Sequence, residues 1–187
     1  MKNDFYDLEI KSVADFQQKS TYEACRFVGI DFTSVILKQS KFIDCSFEEC
    51  NLSNCSLVEL SLQGVHFENC KLLGLHFEHA NPFGFACTFV RCQMKHDSFY
   101  QVNLQNCLFE HCDLEGADFT EAKAKGSSFY GSNLLHVIFE HSDLRAVNFI
   151  EAKNLQLDPQ SNQIEKAKFQ AAQLEGLLLK YQLDIQH

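Results

Sequence analysis

The chain has 187 residues, enough for one domain, and its 25 acidic against 16 basic residues leave a formal charge of −9. That balance disfavours nucleic acid and anionic membrane as partners and favours a basic protein surface. Eighteen Phe with no Trp suggest one apolar slot used many times over rather than the mixed core of an ordinary domain.

Residues 1–20 open with the polar, acidic run Met1 to Asp7, which has neither the basic start nor the apolar stretch of a signal peptide. No run approaches the ~18 apolar residues of a membrane span, so the expected compartment is the cytoplasm. Nine cysteines in such a chain read as reduced thiols rather than a disulfide framework. These first residues fit the pattern that follows poorly and are expected to form an N-terminal cap.

From Tyr22 a five-residue clock begins: Tyr22, Phe27, Phe32, Leu37, Phe42, Phe47, Leu52 and onward to Phe77. It slips by two residues within Ala80–Ala86, resumes at Phe89 and continues to Phe149. Two residues before each large apolar position stands a small or slim one, and all nine cysteines fall there. A period of five fits neither an amphipathic helix nor an alternating strand. It suits a solenoid whose stacked turns bury a continuous core.

Runs such as Cys45-Ser46-Phe47-Glu48-Glu49, Ala117-Asp118-Phe119-Thr120-Glu121 and Ser142-Asp143-Leu144-Arg145-Ala146 resemble the pentapeptide-repeat motif A(D/N)LXX. The resemblance implies an all-β solenoid: a right-handed quadrilateral β-helix with four pentapeptides, hence about 20 residues, per coil. Residues 20 apart do repeat in kind. Phe27, Phe47, Phe67, Phe89, Phe109, Phe129 and Phe149 form one column, and Phe169 extends it into a degenerate last turn. The whole of 1–187 is thus expected to be a single domain, with coils over 20–169. The slip, containing Pro82 and Gly84, should bulge or kink the rod near 81–86. Asp97 is the one charged residue at a small inward place, where it either caps backbone N–H groups in a locally twisted turn or acts as a buried switch.

After Gln170, Ala171, Leu174, Leu178 and Tyr181 recur at helical spacing, with Leu177 widening the stripe. Residues 170–187 are therefore expected to form a short C-terminal α-helix and a tail, the latter including Leu183 and Ile185. The stripe exceeds what one small end can cover, so a homodimer through the C-terminal ends, using Leu174, Leu177, Leu178 and Tyr181, is expected. The stretch Leu157-Asp158-Pro159, Ile164, Ala167-Lys168-Phe169 and Leu177-Leu178 is similar to the tail of the gyrase-protecting pentapeptide proteins. That group includes the Qnr-type quinolone-resistance proteins and the microcin and albicidin immunity proteins. The resemblance implies dimeric rods whose acidic surface imitates DNA on a type II topoisomerase. The present chain lacks the long inter-coil loops of the Qnr type.

Chemistry-bearing motifs are missing. There is no Gly-rich phosphate loop, nucleophile elbow or HExxH, and His76 and His79 flank an inward Phe without a third ligand in view. No enzyme, cofactor or metal is expected. Nine net charges over roughly 34 Å of rod are too sparse for uniform imitation of duplex DNA, so the acids must be concentrated. Glu48, Glu49, Glu68, Glu110 and Glu151 lie on the all-Phe side and form the expected partner-binding face, whereas Lys41, Lys123, Lys125 and Arg145 lie on the neighbouring side. The expected function is DNA mimicry that protects DNA gyrase or topoisomerase IV from quinolones or peptide toxins. A structural or adaptor rod binding another cytosolic protein is the alternative.

Overall fold

The computed structural model describes residues 3–184. Short segments pair in parallel with the segments one coil away, as a solenoid requires. The described residues form strands β1 (Asp4–Tyr6), β2 (Glu9–Ile10), β3 (Thr21–Glu23), β4 (Arg26–Val28), β5 (Lys41–Ile43), β6 (Ser46–Glu48), β7 (Ser61–Gln63), β8 (Val65–Glu68), β9 (Cys87–Val90) and β10 (Leu108–Glu110). One sheet runs β1-β3-β5-β7 and a second runs β10-β9-β8-β6-β4-β2. Elsewhere, single parallel bridges such as Asn103–Lys123–Asp143–Gln163 continue the stacking. The result is a right-handed, four-sided β-helix.

Each side is named by the residues it turns inward. The first carries Tyr22, Phe42, Leu62, Leu104, Ala124 and Leu144, and the second carries Phe27 through Phe149. The third carries Phe32, Leu52, Leu72, Met94, Leu114 and Leu134, and the fourth Leu37, Leu57, Phe77, Phe99, Phe119 and Phe139. All are buried. Rings of the second side stack with centroids 4.6 Å apart at Phe27–Phe47 and 5.3 Å apart at Phe149–Phe169, so the last, degenerate turn is present. The fourth side holds a second aromatic stack, Phe77–Phe99–Phe119–Phe139, at 4.5, 4.8 and 5.3 Å. The two stacks meet edge to face, as Phe99 and Phe109 do at 5.4 Å and 84°. Aromatic pairs favour both arrangements over a full sandwich.

Thr21 pairs with Lys41 and Lys41 with Ser61, but Val65 pairs with Cys87. The two extra residues are absorbed at 81–86, as expected from the slip. There Asn81 Oδ1 accepts from the Phe83 N–H at 2.9 Å. Gly84 takes φ +69°, and the Gln63 side-chain amide donates to the Phe83 carbonyl at 3.2 Å. Phe83 is left 78% exposed on the bulge.

The N-terminal segment is less of a cap than its sequence suggests. Phe5 pairs with Tyr22 and Ile10 with Phe27, so residues 4–10 already belong to a coil, one that is three residues short. What closes the end is Phe16, stacked 5.4 Å from Tyr22 and edge-on to Phe32 at 5.6 Å.

The nine cysteines are free and buried, and most of their thiols share a task. Cys45, Cys50, Cys55, Cys70 and Cys112 donate to the carbonyls of Tyr22, Phe27, Phe32, Phe47 and Phe89 in the coil below. Ser132, Ser142 and Asn162 do the same toward Phe109, Phe119 and Phe139. A small donor therefore fills each such inward corner, and Cys, a slim and mostly apolar one, suits it. Burial pushes the Cys45 thiol up to about 12 and the Cys55 thiol up to about 11. Such thiols are inert, because the thiolate is the reactive species.

Asp97 occupies one of these inward places and is 1% exposed. Its Oδ1 accepts from the Leu75 N–H at 2.8 Å, in line with the expected capping, while Oδ2 has no partner. Burial holds its carboxyl well above the usual carboxylate range, against the smaller opposing pull of the Leu75 and Gly74 N–H groups. A carboxyl raised in the folded state contributes stability that is fully present below its unfolded pKa. That contribution is lost as pH rises through the folded value. Asp97→Asn keeps the Oδ1 acceptor and supplies an amide donor like that of Asn162. Its gain over Asp97 should be larger at about pH 8 than at about pH 4, near the ~3.9 of an unfolded Asp, because the charge-burial penalty grows as pH rises above that value. Urea unfolding of both proteins at the two pH values measures this, and an equal difference at both would refute it.

Beyond Phe169 the chain forms a 3-10 turn at Ala171–Gln173, α1 (Leu174–Leu178) and a second 3-10 turn at Leu179–Tyr181. The Gln173 side chain donates to the Phe149 and Ala152 carbonyls at 2.7 and 2.6 Å, sealing carbonyls that another coil would have paired. Lys180 Nζ reaches Asp158 at 2.6 Å, and Leu177 is buried.

Candidate interaction surface

Side chains of a β-helix alternate in and out, so outward residues fall into rows along the rod. Each pentapeptide adds a corner position, commonly in the left-handed region, as at Glu49 (φ 54°), Glu121 (φ 56°) and Glu151 (φ 61°). These corner residues are held at a fixed spacing by the coil repeat.

On the second side Glu48 and Glu68 stand in register, Val90 separates them from Glu110, and Glu49 and Glu151 are corner residues; two of these acids are shared. Arg26 bridges Glu9 and Glu48, with both contacts at 2.5 Å, and Arg91 pairs with Glu68. The Arg26 contact holds the Glu48 carboxyl below the usual range. Among the described residues, Glu49, Glu110 and Glu151 make no salt bridge. The Tyr130 hydroxyl is raised in pKa, first by its hydrogen bond to Glu151. On the neighbouring first side, Arg145 pairs with Asp143 at 2.6 Å, and on the third Lys95 reaches Glu115 at 2.6 Å and Asp113 at 3.2 Å.

The fourth side differs. It carries Glu59, Glu78, Asp118, Glu121 and Glu140; its lysines among the described residues are Lys38, 3.9 Å from Glu59, and Lys19, which begins the corner row that Gln39, Glu59 and Glu121 continue. His76 shares its ring nitrogen with Glu78 at 2.9 Å and stacks on His79 at 5.4 Å. Glu121 accepts from the Gln101 amide at 2.8 Å. None of these acids belongs to the expected partner-binding face, which follows the all-Phe column on the second side.

At the C-terminal end, Leu174 and Tyr181 of the expected seam are exposed at 46% and 49%, Leu178 is half-buried, and Leu177 is buried within its own chain. Leu179 and Leu183 add exposed apolar surface. Ile185 lies outside the described residues. No helix among the described residues is long and apolar enough to cross a membrane.

A parallel four-sided β-helix on a five-residue clock defines a class of repeat protein, and sequence profiles agree. The profile described as "Pentapeptide repeat region" matches residues 103–183, and "Pentapeptide repeats (8 copies)" matches residues 25–59. The chain belongs to the pentapeptide-repeat family. Among solved structures it is similar to QnrB1, a plasmid-mediated fluoroquinolone resistance protein. One trypsin-treated QnrB1 variant aligns at TM-score 0.67 and 17% identity over 99% of this chain and 98% of that one. A second aligns at 0.59 and 17% over the whole of both. Full-length QnrB1 aligns at 0.51 and 16% over 97% and 100%. No curated protein sequence matches the chain.

Proposed function

We propose that this protein is a non-catalytic rod that binds a type II topoisomerase, DNA gyrase or topoisomerase IV, at its DNA site and shields it from inhibitors such as fluoroquinolones or peptide toxins. The observation that carries this reading is the end-to-end fold match to QnrB1 in a rod of formal charge −9. A stiff rod with fixed rows of carboxylates can meet a groove built for phosphates, since the acids need no reorganisation on docking. The test is DNA supercoiling by purified gyrase in the presence of a fluoroquinolone, with and without the protein. Restored supercoiling supports the reading, and unchanged inhibition rejects it. The adaptor alternative is favoured by one observation: Arg26 and Arg91 interrupt the acids of the second side.

The C-terminal ends are proposed to pair two rods. Leu174, Leu178 and Tyr181 would form the seam with Leu179, while Leu177 serves the fold of each chain. Replacing Leu174 and Leu178 by Asp would place charge in an apolar contact and is expected to yield monomers by light scattering. A wild-type protein that is monomeric at micromolar concentration would refute the seam.

A further inference from the structure

Between the two ends of the rod, the large apolar side chains exposed outright are Ile36, Val58, Phe83, Tyr100 and Ile138. Ile36, Val58, Tyr100 and Ile138 stand on one side, the fourth, and Phe83 sits on the bulge at the corner next to it. The same side bears Glu59, Asp118, Glu121 and Glu140, and between Ile36 and Ile138 its one lysine or arginine is Lys38, Lys19 standing in the coil before. Elsewhere on the rod the acids are interleaved with Arg26, Arg91, Lys95 and Arg145. Two independent features, exposed apolar groups and acids that outnumber the lysines and arginines beside them, thus coincide on one side of four.

We infer that the fourth side, from Ile36 to Ile138, is the surface on which a partner protein docks, and that the partner presents a basic strip with apolar side chains between its cations. This rests on the reading that the rod acts by binding a protein, and it relocates the contact from the second side. Charge decides the occupant. Carboxylates in this density repel a phosphate backbone and attract Arg and Lys. Exposed aliphatic and aromatic groups among them supply the anchors that pure electrostatics lacks, because the binding energy of protein interfaces is concentrated in a few such residues. The backbone beneath Tyr100 and Ile138 is a parallel ladder, His76–Ser98–Asp118–Ile138, so these two anchors are held in place before binding.

The test compares two sets of charge reversals in the full chain. One is Glu59→Lys with Glu121→Lys and Glu140→Lys on the fourth side. The other is Glu49→Lys with Glu110→Lys and Glu151→Lys on the second. A third protein carries Tyr100→Ser with Ile138→Ser. Binding to purified gyrase should weaken roughly tenfold or more for the first and third proteins and little for the second. Loss confined to the second-side set overturns the assignment of the face while leaving the topoisomerase reading intact. If wild-type protein does not bind gyrase, the topoisomerase reading fails, and the face is decided by a separate probe, a synthetic peptide alternating arginine and leucine. Amide chemical-shift changes confined to the fourth side support the inference, and changes on the second side or spread evenly over the rod overturn it.

Discussion

Phe109→Ala is expected to destabilise the protein by about 3–5 kcal/mol, the cost of removing a buried ring whose surroundings relax only partly. Phe109 has no exposed surface. It stacks between Phe89 at 5.1 Å and Phe129 at 5.0 Å and meets Phe99 and Phe119 edge-on at 5.4 and 5.6 Å. The cavity would open in both aromatic stacks at once. A coil touches only its neighbours, so collapse from above or below would require the parallel ladder itself to shift, and stability in such repeats is a sum of nearest-neighbour terms. The loss should therefore appear as a weakened middle of the rod. Urea unfolding measures the total, and hydrogen exchange should quicken first around Phe89 to Phe129. A loss under about 1 kcal/mol would show that Phe109 carries no core packing.

The period of the sequence made the coil legible, and with it the Phe column, the inward cysteines and the bulge at 81–86. Those features depend only on which residue stands at which step of a repeat. The second aromatic stack was equally present in Phe77, Phe99, Phe119 and Phe139, but its first pair spans the slip and its column begins with Leu37 and Leu57. The acid strip was legible by position and not by partner. Arg26 stands one place before an inward Phe and Glu48 one place after the next, so their meeting is a diagonal contact across coils that the five-residue grid does not display. The N-terminal coil was hidden because Phe5 and Tyr22 are 17 steps apart, off the grid. Nor does any periodicity mark Gly176, whose role depends on how closely α1 approaches the last coil.

Gly176→Ala is expected to undock the C-terminal cap. An added Cβ would stand 1.9 Å from the Leu155 carbonyl oxygen, a backbone atom that cannot rotate away. The helix tolerates the intrinsic cost of an interior Gly, roughly 0.5–1 kcal/mol against Ala, because this approach lets the Gly176 carbonyl accept from the Leu157 N–H at 3.3 Å and seats Leu177. Moving α1 outward to relieve the clash would break the Gln173 bonds to the Phe149 and Ala152 carbonyls and expose Leu177. Strain of about 1–3 kcal/mol and the lost burial of one Leu, about 1.5–3 kcal/mol, oppose the propensity gain. The damage should be local: faster hydrogen exchange over residues 148–168, with the coils from Lys41 to Phe129 unchanged. Gly29→Ala is the control. Nothing lies within 4 Å of its added Cβ, so it meets only the left-handed penalty of its φ +66°, about 1–2 kcal/mol, and leaves the cap in place. If Gly176→Ala exchanges like wild type over the last coil, close approach is not what holds the helix there. If the cap opens and the two rods nevertheless stay paired by light scattering, the proposed seam at Leu174, Leu178 and Tyr181 is wrong as well.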